Sequence, residues 1–520
     1  MGYTGNIIPI PCSKGGFQYP QSLDLLSEFG MVSAENINLH EGGRQKRGGT
    51  THRLSAAISG TPQITGIYLY EYGTTQKIVI GTTDGKIWDS ADITTAKKTG
   101  LTTGKFFSFE TFNDICYICN TANQVQKYNG STVTALTTVP TDWGTTSPRQ
   151  LIKHGRGNSE RLWAIGVPTK EKVIYISPDS SDDFSDATVT QFTINTPDVG
   201  GILAGEVFGD RLFLFSKNHT YVIDDTDMNP ASWGYEEAQW LGGVGSWRLL
   251  IRTPNDIVSV TADGDIYSVS AVQQYGDYKI ASLARPSFID RWIRLNTNMA
   301  NLSTLFHGVY DPELRAIKIF VTRTGTSVVD TCLVYFIDRP PNEAWVIHNS
   351  SGLSGYRASA ACLGIKSSGL QTILTGDYTG WLWFLEDTST YSDNVLGYYS
   401  GFQLPPIYFE NIKSKKRFDG ITLITKPEGD WNLNIKTIID DIYREIDTIN
   451  LAGAGSVYGT GTFGAAVYGS TNYLQKSANT RRVGKRIQYE LFNNNAGQDF
   501  FISKILIAYK NLGLPVSEET

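Results

Sequence analysis

Between residues 77 and 386 one phrase recurs: a short apolar or alternating run, a tight polar turn, then a second run ending near an aromatic residue. It is seen in KIVIGTTDGKIWDS, DICYICNTANQVQKYNG, RLWAIGVPTKEKVIYIS, DRLFLFSKNHTYVID, DIVSVTADGDIYSVS, CLVYFIDRPPNEAWVIHN and TILTGDYTGWLWFLE. Asp84-Gly85 is a strong hairpin turn signal. The first five turns fall near residues 84, 122, 170, 218 and 263, a spacing of about 40 to 50 residues, the length of one four-stranded propeller blade. A hairpin of this kind cannot bury both faces alone, so a fixed period implies an array of neighbours rather than one sandwich. The sequence therefore predicts an all-β fold with a β-propeller of six or seven blades over residues 61–395.

The rhythm stretches between residues 265 and 330, where ASLARPSFIDRWIRLNTNMANLSTLF is the best helical segment, a partly helical insertion near 281–306. Near residue 396 the pattern changes to period two, with turns at Asp430 and Asp440-Asp441. A long Gly/Ala/Tyr/Ser loop follows, AGAGSVYGTGTFGAAVYGSTNY, then two or three final strands. Residues 396–520 read as a C-terminal β-sandwich domain. Residues 1–60 read as an N-terminal arm that must pack on something to stay ordered, as part of the platform the C-terminal domain makes.

Composition agrees with a β-rich chain: of 520 residues 12% are aromatic and only 18% charged, with 52 glycines. A formal net charge of -6 argues against a protein whose main task is to grip phosphate. Five cysteines cannot close a full disulfide framework, which points to assembly in a reducing compartment. Cys116 and Cys119 form C-x-x-C, but residues three apart on a strand face opposite sides, so both are expected to be structural. The N-terminus MGYTGNIIPIPCSKGG has no charged leader, and no stretch reaches the length of a membrane span, which predicts a soluble chain without a signal peptide.

Catalytic patterns are missing. The six histidines form no H-x-x-x-H pair, and there is no G-x-S-x-G elbow or Walker loop. TTDGKIW is close to a sialidase turn but is an ordinary hairpin, with Asp84 and Gly85 adjacent. Asp225, Asp227, Asn229 and Glu236 sit at the oxygen positions of a calcium loop, yet Pro230 replaces the glycine its sharp turn needs. Neither a metal, a cofactor nor a catalytic residue is therefore expected. HEGGRQKRGGTTH, residues 40–52, lacks the Gly-Lys-Ser/Thr of a phosphate loop and reads as an extended basic strut between glycine bends. Three basic clusters stand out as interface residues: Arg44, Lys46 and Arg47; Lys413, Lys415, Lys416 and Arg417; and Arg481, Arg482, Lys485 and Arg486. They serve either as edge-protecting charges or as an electrostatic interface to an acidic partner.

The succession NINLHEGGRQKRGGTTH, RLWAIGVPTKEKVIYISPDSSDDFSD, FGDRLFLFSKNHTYVI, GGVGSWRLLIRTPNDIVSVTADGDIYSVS and KKRFDGITLI…GDWNLNIKTIIDD…RRVGKRIQYELFN resembles the tail nozzle proteins of short-tailed bacteriophages. That group includes tail tubular protein B and the packaged-DNA stabilisation proteins. The resemblance spans nearly the whole chain. It implies a structural, non-enzymatic virion tail protein assembled in the host cytoplasm. The ring it implies is a hexamer below the portal and adaptor rings, in contact with tail fibres or spikes. Genomic DNA would pass through its channel without sequence-specific binding. Two other classes remain open. One is a carbohydrate-binding propeller using Trp381 to Phe384 or Trp233, Trp240 and Trp247 as platforms. The other is a propeller glycoside hydrolase, which needs two carboxylates in a cleft.

Overall fold

Within KIVIGTTDGKIWDS, Ile78 and Ile80 enter one buried cluster and Val79 enters the next. Leu162 and Ala164 likewise face one neighbour while Trp163 and Ile165 face the other. Strands covered on both faces need apolar side chains at odd and even positions alike, so these phrases are apolar runs rather than clean alternations. The computed structural model describes residues 6–156, 159–227, 229–239, 241–277, 279–350, 352, 354–409, 413–452 and 473–513. It divides into two units, residues 51–332 with 354–385, and residues 1–50 with 333–353 and 386–520.

The first unit is a β-propeller. Among the described residues seven blades follow one another, with inner strands Ile64–Tyr72, Ser108–Phe112, Gln150–His154, Ala204–Phe208, Leu250–Thr253, His307–Asp311 and Ala360–Ile365. Each blade is an antiparallel meander; in blade 4, for instance, Ala204 pairs with Phe215, Tyr221 with Leu214, and Tyr221 with Glu237. Blade 7 takes Gly49–His52 as its fourth strand, and Arg53 N–H donates to Leu382 O at 2.8 Å. Blades 1 and 7 close the ring through Ile58, Ile64, Ile80, Trp88, Leu374 and Leu382. Of the helical insertion expected near 281–306, Ile289–Asn296 is an α-helix, and a second, Val269–Tyr275, precedes it, both between blades 5 and 6. Ser268 caps Val269–Tyr275 through the N–H of Ala271, and Gly276 ends it in the left-handed region.

The second unit is a β-sandwich. One sheet runs Ile37–His40, Gly43–Lys46, Phe501–Asn511, Lys416–Thr425, Leu474–Gly484, with Asn6–Pro11 also paired to Phe501–Asn511. The other contains Trp345–Asn349, Ser33–Glu35, Ser400–Gln403, Ile487–Asn493, Asn432–Ile439 and Ile442–Asn450 in that order. Phe418, Ile421, Leu423, Ile505 and Ile507 are buried on the first, and Leu433, Ile435, Ile439, Tyr489 and Leu491 on the second. Asp440 and Asp441 both have positive φ, +52° and +66°, as a tight two-residue hairpin requires. The Gly/Ala/Tyr/Ser loop expected over 452–473 lies almost wholly outside the described residues.

The single boundary expected near residue 396 is corrected. The chain leaves the propeller unit at 333, returns at 354 and leaves again after 385. CLVYFIDRPPNEAWVIHN forms the expected hairpin, Thr331–Phe336 with Trp345–Asn349, and Trp345–Asn349 also lies beside Ser33–Glu35, with Glu35 opposite Ile347 in parallel. A hairpin has the same period in any sheet, so local pattern does not say which sheet its strands join. The N-terminal arm contributes Asn6–Pro11, Ser33–Glu35, Ile37–His40 and Gly43–Lys46 to the sandwich sheets.

Candidate functional site

The basic strut at residues 44–47 is an interior element. Arg44, Lys46 and Arg47 are 0%, 1% and 0% exposed. Arg47 grips Asp393 with two hydrogen bonds, Nη1 to Oδ1 at 2.9 Å and Nη2 to Oδ2 at 2.7 Å. Its Nε donates to Asn36 Oδ1 at 2.9 Å, Nη1 to Gly48 O at 2.8 Å and Nη2 to Asn349 O at 3.1 Å. The guanidinium lies 3.8 Å from the Tyr398 ring centre. Lys46 Nζ donates to Asn493 Oδ1 and Asn495 O at 3.2 and 2.9 Å, and burial pushes its ammonium down to about 8. Arg44 Nη2 reaches Lys14 O at 2.9 Å. The glycines beside them allow close backbone approach: a Cβ on Gly48 would stand 2.5 Å from the Glu386 carbonyl carbon, and one on Gly49 2.3 Å from Ser392 O. The expectation that Arg44, Lys46 and Arg47 form an exposed interface is thereby corrected. Arg47 is paired with Asp393, and Arg44 and Lys46 donate to oxygens inside the sandwich, where a cation without such partners would be costly.

The other two clusters meet. Lys416–Thr425 and Leu474–Gly484 are antiparallel neighbours, with Lys416 opposite Gly484, Arg417 opposite Val483 and Phe418 opposite Arg482. On its other side Arg417 faces Lys510. Lys413, Lys415, Arg417, Arg481, Arg482 and Lys485 are exposed, while Arg486 is half-buried. Val483 and Leu512 are apolar and about half exposed among them, at 52% and 50%. Arg417 is held by Asp419 on its own strand at 2.7 Å, and Arg486 by Asp441 and the Tyr408 hydroxyl. Lys416 departs from its cluster: it is 0% exposed, and its Nζ donates to Tyr408 O at 2.8 Å. One buried lysine thus anchors a face whose other cations point to solvent.

The propeller holds a second feature that sequence reasoning missed. Its inner strands surround a cavity of about 610 Å³ lined by side chains from all seven blades, among them Tyr68, Phe109, Gln150, Glu206, Trp247, Arg248, Arg252, His307 and Cys362. Burial raises the Glu206 carboxyl, against the opposing pull of Arg252, whose Nη1 is 3.4 Å away. Glu110, on blade 2, is pushed up to about 7 by burial, with a smaller contribution from the charge of Glu206. The cavity-lining residues come from all seven blades, which lie tens of residues apart in sequence, so only ring closure brings them together.

The remaining expected positions have structural partners. Asp225 is bound by His154 at 2.9 Å and by Arg156 at 2.7 Å. Asp227 accepts the N–H of Asn229, whose side chain caps a short turn. No group of three His, Cys, Asp or Glu side chains arranged to hold a metal occurs among the described residues. Cys116 and Cys119 enter separate cores on opposite faces of their strand, and all five cysteines are free. Of the tryptophans considered as sugar platforms, Trp383 is buried with Nε1 donating to Asp377. Trp233 stacks on Trp163 at 5.4 Å, Trp381 stacks on His52 at 3.9 Å, and Trp240 lies outside the described residues. Trp247 alone lines the central cavity. No helix among the described residues is long and apolar enough to cross a membrane.

No family model matches the chain, and no curated protein matches it. Among solved structures, BamB from Moraxella catarrhalis is similar over 68% of this chain and 96% of its own, with 11% identity and a TM-score of 0.36.

Proposed function

We propose that this chain is a structural subunit of a bacteriophage tail nozzle, an assembly module rather than an enzyme. The observation that carries this reading is the exposed face where Lys415, Arg417 and Lys485 flank the half-exposed Val483. Such a face, apolar at its centre and cationic around it, suits docking on an acidic protein surface, where charge directs the encounter and apolar burial holds it. The succession of blade phrases quoted above is the second support. In this reading the subunits form a hexameric ring on the tail adaptor. The ring retains packaged DNA and passes it during ejection, and fibres or spikes attach around it. The overall acidic chain, at -6, suits a channel wall that does not hold phosphate.

The test is electron microscopy and light scattering of the purified protein alone and with its adaptor ring. Monomers or weak oligomers alone, and sixfold rings with the adaptor, are expected. A stable isolated assembly of another symmetry would overturn the reading. So would normal particle yield from a chain carrying Lys415→Glu, Arg417→Glu and Lys485→Glu.

A further inference from the structure

The central cavity of the propeller contains a charge and a lone pair without counterparts. Arg248, just before the inner strand of blade 5, is 9% exposed. Two of its five N–H groups donate to main-chain carbonyls, Nη1 to Thr304 O at 3.1 Å and Nη2 to Ser359 O at 2.5 Å. The Phe106 ring lies 4.3 Å from the guanidinium. No carboxylate pairs with Arg248 among the described residues, and burial pushes it down to about 9. His307, which opens the inner strand of blade 6, also lines the cavity. Its Nδ1 lies 2.9 Å from Leu305 O, so Nδ1 carries the proton and donates. Nε2 is then an acceptor, and it is buried without a hydrogen-bond partner. Burial, reinforced by the nearby Arg248, holds the ring neutral.

A buried guanidinium without a counter-ion and a buried nitrogen lone pair without a donor are each costly, and one ligand can satisfy both. The anion belongs at Arg248, where charge-assisted hydrogen bonds are strongest. A hydroxyl next to that anion can donate to His307 Nε2. Arg252, four residues beyond Arg248, and Glu206 on blade 4, 3.4 Å from Arg252, also line the cavity and can hold further hydroxyl groups. Trp247 and Tyr68 also line the cavity, and its volume of about 610 Å³ lies in the range of small-molecule sites.

We propose that the central cavity binds a small hydroxy-carboxylic acid of monosaccharide size, with its carboxylate on Arg248 and a hydroxyl donating to His307. This site is independent of ring assembly. The experiment titrates the full-length chain with D-glucuronate, with D-glucose as the neutral ring and acetate as the bare anion, by calorimetry and tryptophan fluorescence. Glucuronate should bind at least about tenfold more tightly than either control, a difference of about 1.4 kcal/mol. Arg248→Gln should abolish the preference for the acid, and Trp247→Phe should remove the fluorescence change. Because Arg248 also ties two loops together, hydrogen exchange on the unmutated chain provides the second readout. Glucuronate should protect residues 247–252 and 305–309. Equal affinity for glucuronate and glucose, no binding of glucuronate at millimolar concentration, or protection confined to other segments would each overturn the assignment.

Discussion

Asp499 is the residue whose environment most directly sets a pH dependence. It is buried in the sandwich, where Gln45 Nε2 donates to Oδ2 at 2.7 Å and the Phe500 N–H to Oδ1 at 2.6 Å. Burial raises its carboxyl from 3.8 to about 7, and the charge of Glu428 adds to the rise. The folded chain therefore keeps this proton at pH values where the unfolded chain has lost it. The stabilisation is complete below about pH 4 and is lost as pH rises through about 7. Asp499→Asn is neutral throughout, and Gln45 can turn its amide to suit the new side chain. The variant should melt at least a few degrees above the parent at pH 8 and no higher at pH 5, since each kcal/mol moves Tm by about 2–4 °C at this unit size. Equal shifts at both pH values would show that Asp499 titrates normally. Arg44, Lys46 and Arg47 show why such sites escape sequence reading. GGRQKRGG has the composition of an exposed basic loop. What buries it lies at Asn349, Asp393, Tyr398, Asn493 and Asn495, roughly 300 residues or more away in sequence.

At the scale of elements, the legible features were those with local causes: the Asp84-Gly85 and Asp440-Asp441 turns, the three strands over 416–450, and the strands that close the chain. Which strands become neighbours is a non-local matter. That 413–417 and 481–486 would meet at neighbouring strands was not visible, and neither was the inward turn of Lys416. Strand alternation explains that turn. Lys415 and Arg417 point out from their sheet and Lys416 points in. The cluster thus separates into outward-facing and anchoring residues, with opposite mutational outcomes. Lys415→Glu with Arg417→Glu should leave unfolding within about 0.5 kcal/mol of the parent and, under the proposed docking role, weaken adaptor binding and flatten its salt dependence. Lys416→Glu places a carboxylate against the carbonyl of Tyr408 and should cost roughly 2–5 kcal/mol. Urea titration separates the two. Equal loss of stability in both variants would contradict the alternation.

At the scale of the whole molecule, the 40-to-50-residue period was enough to imply a propeller, and seven blades is the upper of the two expected numbers. Ring closure was not legible, because the last blade is reached only after the chain has left the propeller unit at 333 and returned at 354. Blade 7 is therefore held to blade 1 by side-chain packing, with Ile64, Ile80 and Trp88 on one side and Leu374 and Leu382 on the other. Gly376 lets them approach, since a Cβ there would lie 2.5 Å from Ile64 Cγ2. A closed ring has no free end, so loosening this seam should release both of its sides at once. Leu374→Ala leaves a cavity in the seam and should cost about 2–5 kcal/mol. Hydrogen exchange should then rise together in Thr75–Thr82 and Gln371–Gly376, while Arg161–Ile165, on the other side of the ring, stays protected at first. Faster exchange in Gln371–Gly376 alone would mean that blade 7 frays without opening the ring, and that closure comes from the strand Gly49–His52 rather than from the seam.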